Sequence, residues 1–166
     1  MKEDSKVLIK NLTNHSVSFQ CVNKPNHFSF NSGQVLPIKW EYIEDVGYDK
    51  GFRFLIEQSY LKIMPETENY SEVMENLQFS HLSEVVEKSL SYEEAKKLLK
   101  VVPLSTQYGK IKEYMKEGTE TTKKNIANAA IELEIKDYIV NSAVKSATGI
   151  DILKTLELKT AEKTKE

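Results

Sequence analysis

Residues 35–57 read VLPIKWEYIEDVGYDKGFRFLIE, and the spacing of the apolar residues changes within this stretch. The segment 35–38 is typical of a short strand, and Pro37 places that strand at a sheet edge or a strand end. From Trp40 onward the apolar residues recur at helical spacing, in two short pieces separated by glycines. The stretch therefore predicts a strand followed by two short helices, a combination typical of an α+β protein.

The flanking sequence predicts further strands. Residues 6–12 and 16–22 carry apolar runs, and the second run alternates apolar with polar side chains. The short connection 13–15 between them predicts a hairpin. Residues 60–63 form another strand-like run, which ends at a proline. We therefore expect residues 1–65 to form a β-rich domain, as a small β-barrel or a curled antiparallel sheet.

The remaining sequence predicts helices. Residues 66–79 are a polar linker that passes into a short helix, residues 80–158 form a helical domain, and residues 159–166 form a disordered tail. Ser91 and Glu94 have the spacing of a capping box, which opens a helix. Apolar residues then continue at heptad-like spacing and predict one long helix over 121–147.

Composition and charge exclude several classes of protein. The 166 residues include 23 Lys plus Arg and 25 Asp plus Glu, giving a net charge of -2. This balance disfavours nucleic-acid binding, since dedicated nucleic-acid binders usually carry a basic domain. The sequence has no apolar run long enough for a transmembrane helix, and its charged start predicts no secretory signal.

The cysteine and the histidines do not indicate a catalytic or metal-binding site. Cys21 is the single cysteine and lies in an alternating strand, so we expect a small buried apolar residue. A zinc site formed by Cys21, His15 and His27 would match no finger or ribbon spacing. We expect neither a cofactor nor a metal.

Acidic residues cluster at Glu41, Glu44, Asp45 and Asp49. Paired carboxylates can act in acid–base catalysis or bind a divalent metal, but this spacing matches no EF-hand loop. A solvated helix face with Asp49 as an N-cap is the favoured interpretation. Because catalytic triads, zinc-binding motifs and phosphate-binding loops are also missing, we expect a protein that is not an enzyme.

Aromatic residues are concentrated in the same stretch: Trp40, Tyr42, Tyr48, Phe52 and Phe54. Such residues could stack on nucleic-acid bases, but the surrounding acids disfavour that role. The favoured interpretation is that they belong to the core of the small barrel. The alternative is that these five residues bind a partner protein, and they are the only candidate site residues of the sequence.

Several segments together resemble a pattern in uncharacterised proteins of tailed phages, including crAss-like and podovirus-type phages. The matching segments are Val7–Thr13, Phe30–Gln34, Ile38–Ile43, Gly51–Ile56, Tyr60–Ile63 and Thr148–Asp151. The resemblance covers about two thirds of the chain. It departs from the pattern at Lys50-Gly51, where a Gly-Gly pair is usual.

This resemblance implies a small structural component of the virion, made in the host bacterial cytoplasm and attached to the capsid or tail. Its implied partners are other virion proteins (major capsid, portal or tail proteins), contacted in several copies in a symmetric assembly. No membrane is implied and nucleic acid is not favoured. The alternative function is a small phage-encoded regulator that binds a host or phage enzyme or a nucleic acid.

Overall fold

The computed structural model describes residues 4–79 and 89–163 and divides the chain into two units at residues 89 and 90. Within the described ranges, the first unit holds five strands and three helices, and the second holds five helices. This order confirms the predicted α+β class, with strands in the N-terminal part. Each unit has its own apolar core and is described by itself.

Two small antiparallel sheets form the framework of the first unit. Strands β1 (Lys6–Asn11), β4 (Val35–Lys39) and β5 (Leu61–Ile63) form one sheet in the order β4-β1-β5. Strands β2 (Val17–Gln20) and β3 (His27–Phe30) form the other sheet. Buried and exposed residues alternate along β2, which confirms the alternation predicted from its sequence.

Pro37 lies in an edge strand, as predicted. It stands opposite Leu8, whose N–H donates to Thr67 Oγ1 at 3.0 Å and whose carbonyl accepts from the Met64 N–H at 2.8 Å. Both backbone groups of Leu8 are therefore directed away from β4. An N–H at position 37 would have faced the open edge of the sheet. The absence of this group in proline therefore removes no hydrogen bond between β1 and β4.

The predicted hairpin between the first two strands is wrong, because β1 pairs with β4 and β5 whereas β2 pairs with β3. The buried Asn11 side chain explains the difference. Its Nδ2 donates to the carbonyls of His15 at 2.7 Å, Phe30 at 3.1 Å and Asn31 at 3.1 Å. These bonds make the 13–15 connection a bridge between two separate sheets, and the expected barrel is not found among the described strands.

Three helices share the core of the strands: α1 (Trp40–Val46), α2 (Lys50–Glu57) and α3 (Tyr70–Asn76). The Asp49 side chain accepts from the Phe52 N–H at 2.9 Å, which confirms the predicted N-cap. Helix α3 confirms the short helix predicted within 66–79, but this segment is part of the first unit rather than a linker. Its core residues are Val73, Met74, Leu77 and Phe79.

Five helices form the described part of the second unit. They are α4 (Tyr92–Leu99), α5 (Tyr108–Glu117), α6 (Glu120–Glu132), α7 (Tyr138–Thr148) and α8 (Ile152–Lys163). A 3₁₀ turn at Leu104–Gln107 precedes α5. The predicted capping box is present at the start of α4, where Ser91 and Glu94 bond reciprocally. In the described ranges, every helix is too short or too polar to cross a membrane.

The single long helix predicted over 121–147 is wrong, because α6 ends at Glu132 and α7 begins at Tyr138. Glu134 has a φ of 51°, which ends the helical path. The Asp137 side chain then accepts from the N–H groups of Ile139 at 2.9 Å and Val140 at 3.0 Å, and so caps a new helix. Apolar periodicity alone did not show this break, since both pieces bury residues at helical spacing.

The C-terminal boundaries also differ from the prediction. Gly149, with a φ of 77°, ends α7 as expected, but the last helix continues to Lys163, into the segment predicted to be disordered from 159. The buried Asn141 side chain fixes the start of this helix, because its Oδ1 accepts from the Ile152 N–H at 2.7 Å. A tertiary contact therefore fixes the start of a helix whose last residues lie in the segment predicted to be disordered.

Candidate functional site

The structure separates the five aromatic residues predicted as either core or partner-binding. Trp40 and Phe52 are buried in the first core, at 5% and 1% exposure. Tyr42 is half-buried, with its ring 5.6 Å from that of Phe28. Tyr48 and Phe54 are exposed, at 67% and 51%. The first two residues are therefore core, as favoured, and the last two present aromatic surface to solvent.

Phe54 belongs to a surface that we call the aromatic row, formed by His15, Tyr60 and Phe54. The rings of Phe54 and Tyr60 are 5.9 Å apart, and those of Tyr60 and His15 are 6.5 Å apart in an edge-to-face arrangement. His15 and Phe54 are exposed and Tyr60 is half-buried. Ring pairs at these distances stabilise a structure beyond the area that they bury. Because Tyr60 pairs with both of the other rings, the three rings form one continuous surface.

The backbone of each member of the aromatic row is held by hydrogen bonds or by its helix. The Tyr60 N–H donates to the Leu55 carbonyl at 2.9 Å, and its carbonyl accepts from the Leu12 N–H at 2.9 Å. Phe54 lies on α2, whose opposite face is buried. The His15 carbonyl accepts from Asn11 Nδ2 at 2.7 Å. The row is therefore fixed to the sheets and helices before any partner arrives, which lowers the entropic cost of binding.

Sequence reasoning missed His15 and Tyr60 as members of a surface. The sequence pattern predicts a strand at Tyr60 and a strand connection at His15. The reversal that brings Tyr60 to Phe54 passes through Ser59, which has a φ of 56° and is buried. A serine is not a residue that indicates a left-handed conformation. The sequence pattern therefore did not predict this reversal or the contact that it makes.

The acidic cluster in α1 attaches the β2–β3 turn to the helix. Asp45 accepts from the backbone N–H groups of Val22 at 2.7 Å and Asn23 at 3.0 Å, and Glu41 pairs with Lys24 at 2.5 Å. The Asn23 backbone N–H is the main reason why the pKa of Asp45 is lowered. Glu44 remains on the exposed side of the helix. These contacts explain the cluster as a structural clamp.

Cys21 lies in the first core at 5% exposure, as expected for a small apolar residue. Burial raises the pKa of its thiol, which disfavours the thiolate that a nucleophile or metal ligand requires. His15 and His27 are exposed, and His81 lies outside the described residues. Among the residues described, no group of three or more His, Cys, Asp or Glu side chains is placed to hold a metal ion.

A polar cluster in the second unit joins α4 to α6. The Tyr92 hydroxyl donates to the Glu132 carboxylate, and Lys96 Nζ lies 2.7 Å from the same carboxylate. Burial, followed by the bond to Glu132, raises the pKa of Tyr92, whereas the bonds from Lys96 and Tyr92 lower the pKa of Glu132. Both shifts move the pKa values of these groups further from neutral pH. The cluster is therefore better suited to a fixed structural link than to proton transfer.

The chain was compared with protein-family models, with curated proteins and with solved structures. None of the three comparisons finds a match. The candidate site therefore depends on the geometry of the aromatic row and on the contacts that hold it.

Proposed function

We propose that this protein is not an enzyme and that its N-terminal unit binds a partner protein through the aromatic row. The observation that carries this proposal is the contact of three aromatic rings at a surface, with Phe54 51% exposed at its edge. Aromatic side chains dominate the energetics of protein interfaces, because they bury a large area at a low cost in side-chain entropy.

The polar atoms in the row favour a protein partner over a purely apolar ligand. Tyr60 carries a hydroxyl and His15 carries two ring nitrogens, so each side chain combines an apolar face with a hydrogen-bonding group. His15 Nδ1 already lies 3.2 Å from Asn14 Oδ1. A protein surface offers both apolar groups and hydrogen-bond partners, and it matches this mixture.

The titratable groups with shifted pKa values support a non-enzymatic role. Asp45 holds a turn, Asp137 caps a helix, and Glu132 links two helices. For Asp137, burial raises the pKa, and the bonds from Tyr108 and two backbone N–H groups outweigh that effect and lower it. Each of these carboxylates is used to fix the backbone or to join helices.

The resemblance to tailed-phage proteins leads us to place the partner among virion proteins. In this proposal, several copies of the chain attach to the capsid, portal or tail, and the aromatic row of each copy forms the same contact. Repetition of the contact in a symmetric assembly would raise the overall avidity, even though each interface is small.

Photo-crosslinking tests whether the aromatic row is an interface. Phe54 is replaced by p-benzoyl-phenylalanine, which preserves an aromatic side chain, and the full chain is produced in the cells that normally make it. We expect one dominant crosslinked partner, which Tyr60→Ala weakens strongly. The matched control places the crosslinker at Val102, which is 91% exposed in the second unit. Equal crosslinking from both positions would refute the interface.

Quantitative mass spectrometry of purified phage particles tests the virion role. A fixed ratio of this chain to the major capsid protein, compatible with the particle symmetry, is the expected result. If the chain is made in infected cells but is missing from particles, the virion role is wrong. A crosslinked partner that is a host or phage enzyme would then favour the regulator.

A further inference from the structure

A groove lies between α5 and α7 in the second unit, beside the core, against which its lining residues Ala143 and Ala147 are partly packed. Its volume is about 520 Å³. The α7 side of the groove is lined by the small residues Ser142, Ala143, Ser146 and Ala147, whereas Val140 and Val144 are buried in the core. Small residues three and four positions apart on a helix allow another helix to approach closely.

Apolar side chains at one end of this groove remain in contact with solvent. Tyr138 is 76% exposed and Ile139 is 37% exposed, and both line the groove. Met115 contributes a buried apolar side chain from α5. The 11 residues of α7 span about 16 Å, or three helical turns. The groove is therefore long enough to hold a helix of about the same length.

The charged side chains that line the groove are of one sign, although the exposed Glu113 follows Lys112 on the same helix. Lys112 and Lys116 line its α5 side, four residues apart, and the described residues that line it include no Asp or Glu. Asp137 stands at the start of α7, but its carboxylate accepts from the Tyr108 hydroxyl at 2.6 Å and from two backbone N–H groups. Lys145, also on α7, is paired with Asp151 at 2.8 Å.

We propose that this groove binds an amphipathic helix of a partner protein, with its apolar face against α7 and acidic residues opposite Lys112 and Lys116. The single sign of charge on the rim selects acidic over basic helices. The small side chains of α7 allow a helix to approach closely, and the length of the groove matches a helix of about three turns. This proposal is independent of the aromatic row, which belongs to the other unit.

Two model peptides test the proposal on the full chain. Both are fluorescein-labelled helices of about 15 residues with the same Leu and Ala face, and their flanking residues are all Glu in one and all Lys in the other. In fluorescence anisotropy at low salt, we expect the Glu peptide to bind about tenfold more tightly or better. Salt at about 0.5 M should reduce this preference. Equal affinities, or no binding of either peptide, would overturn the proposal.

Charge reversal locates the binding site. Lys112→Glu combined with Lys116→Glu should remove the preference for the Glu peptide or reverse it. The matched control, Lys110→Glu with Lys124→Glu, changes the net charge equally at exposed lysines of α5 and α6 that do not line the groove. If the control has the same effect, the attraction is a property of the whole surface and the groove is not the site.

Filling the groove gives a second, steric test. Ser146→Trp places a large side chain on the α7 surface at an exposed position, where the fold should tolerate it. We expect at least a tenfold loss of affinity for the Glu peptide, while Ser146→Ala retains binding and both variants keep the wild-type circular dichroism spectrum. Unchanged binding by a folded Ser146→Trp variant would contradict the proposal.

Discussion

Asn11→Asp is the substitution that most directly tests how the first unit is assembled. It preserves the shape of a fully buried side chain and replaces the Nδ2 group by a carboxylate oxygen. Asn11 ends β1 of the first sheet, and its two N–H donors serve the carbonyls of His15, Phe30 and Asn31 at one end of the second sheet. The variant therefore leaves these carbonyls facing a negative charge.

The expected loss of stability follows from the bonds removed. Two net hydrogen bonds contribute about 1 kcal/mol each, so their loss costs about 2 kcal/mol. A buried carboxylate opposite carbonyl oxygens adds about 2 kcal/mol or more, so the total is about 4 kcal/mol at neutral pH. With a urea m-value of about 2 kcal/mol/M, the midpoint of unfolding should fall by about 2 M.

The assay uses Trp40, the single tryptophan, which is 5% exposed in the core of the first unit. Its fluorescence reports unfolding of that unit, and far-UV circular dichroism adds the helices of the second unit. Asn11→Leu is the matched control, because it removes the same donors without adding a titratable group. We expect the leucine variant to lose about 4 kcal/mol, because the two bonds that Oδ1 accepts from Thr13 are lost as well.

The pH dependence separates the two contributions. The new carboxyl group should have a folded pKa above its unfolded value of about 3.9. Its stability relative to Asn11→Leu is then greatest below pH 4 and is lost as the pH rises through the folded pKa. A constant difference between the two variants from pH 3 to 8, or an Asn11→Asp variant as stable as the wild type, would refute this account of the junction.

Three further outcomes follow from the same structure. Phe54→Ala should lower the free energy of unfolding by less than about 1 kcal/mol, because Phe54 is 51% exposed, while it removes most partner binding in a pull-down with the crosslinked partner. Asp45→Asn should make the Trp40 unfolding midpoint less dependent on pH. The pKa of Asp45 is lowered in the folded protein, so its contribution is present above the unfolded value of about 3.9 and is lost as the pH falls through the folded pKa; an unchanged pH profile would show that the clamp adds no stability. Ile126→Ala, at a fully buried position of the second unit, should cost about 3 kcal/mol by circular dichroism and leave the Trp40 transition in place; a shifted Trp40 transition would mean that the two units unfold together.

Sequence reasoning was most reliable where a structure depends on neighbours along the chain. The capping box at Ser91 and Glu94, the N-cap at Asp49 and the helix end at Gly149 are all present. Each of these features is completed by groups within about four residues of one another. The alternation along β2 was also predictable, because a strand with one buried face requires it.

The sequence was less reliable where a distant residue decides the outcome. Asn11 stands near the end of the predicted strand 6–12, but its amide donates to carbonyls as far away as Asn31, and so the predicted hairpin was wrong. Asn141 similarly supports the start of α8 at Ile152. A side-chain amide shows its partners only after folding, because its donors and acceptors suit many backbone groups equally well.

The sequence by itself determined the α+β class, the order of strands before helices, the position of Pro37 in an edge strand and the burial of Cys21. Only the tertiary structure decided which strands pair, where the long helix breaks, and that Phe54 meets Tyr60 and His15 at the surface. The physical reason is the separation along the chain over which each kind of interaction acts. Hydrophobic periodicity and capping act over a few residues, whereas strand pairing and surface clusters depend on contacts between segments that the chain brings together only when it folds.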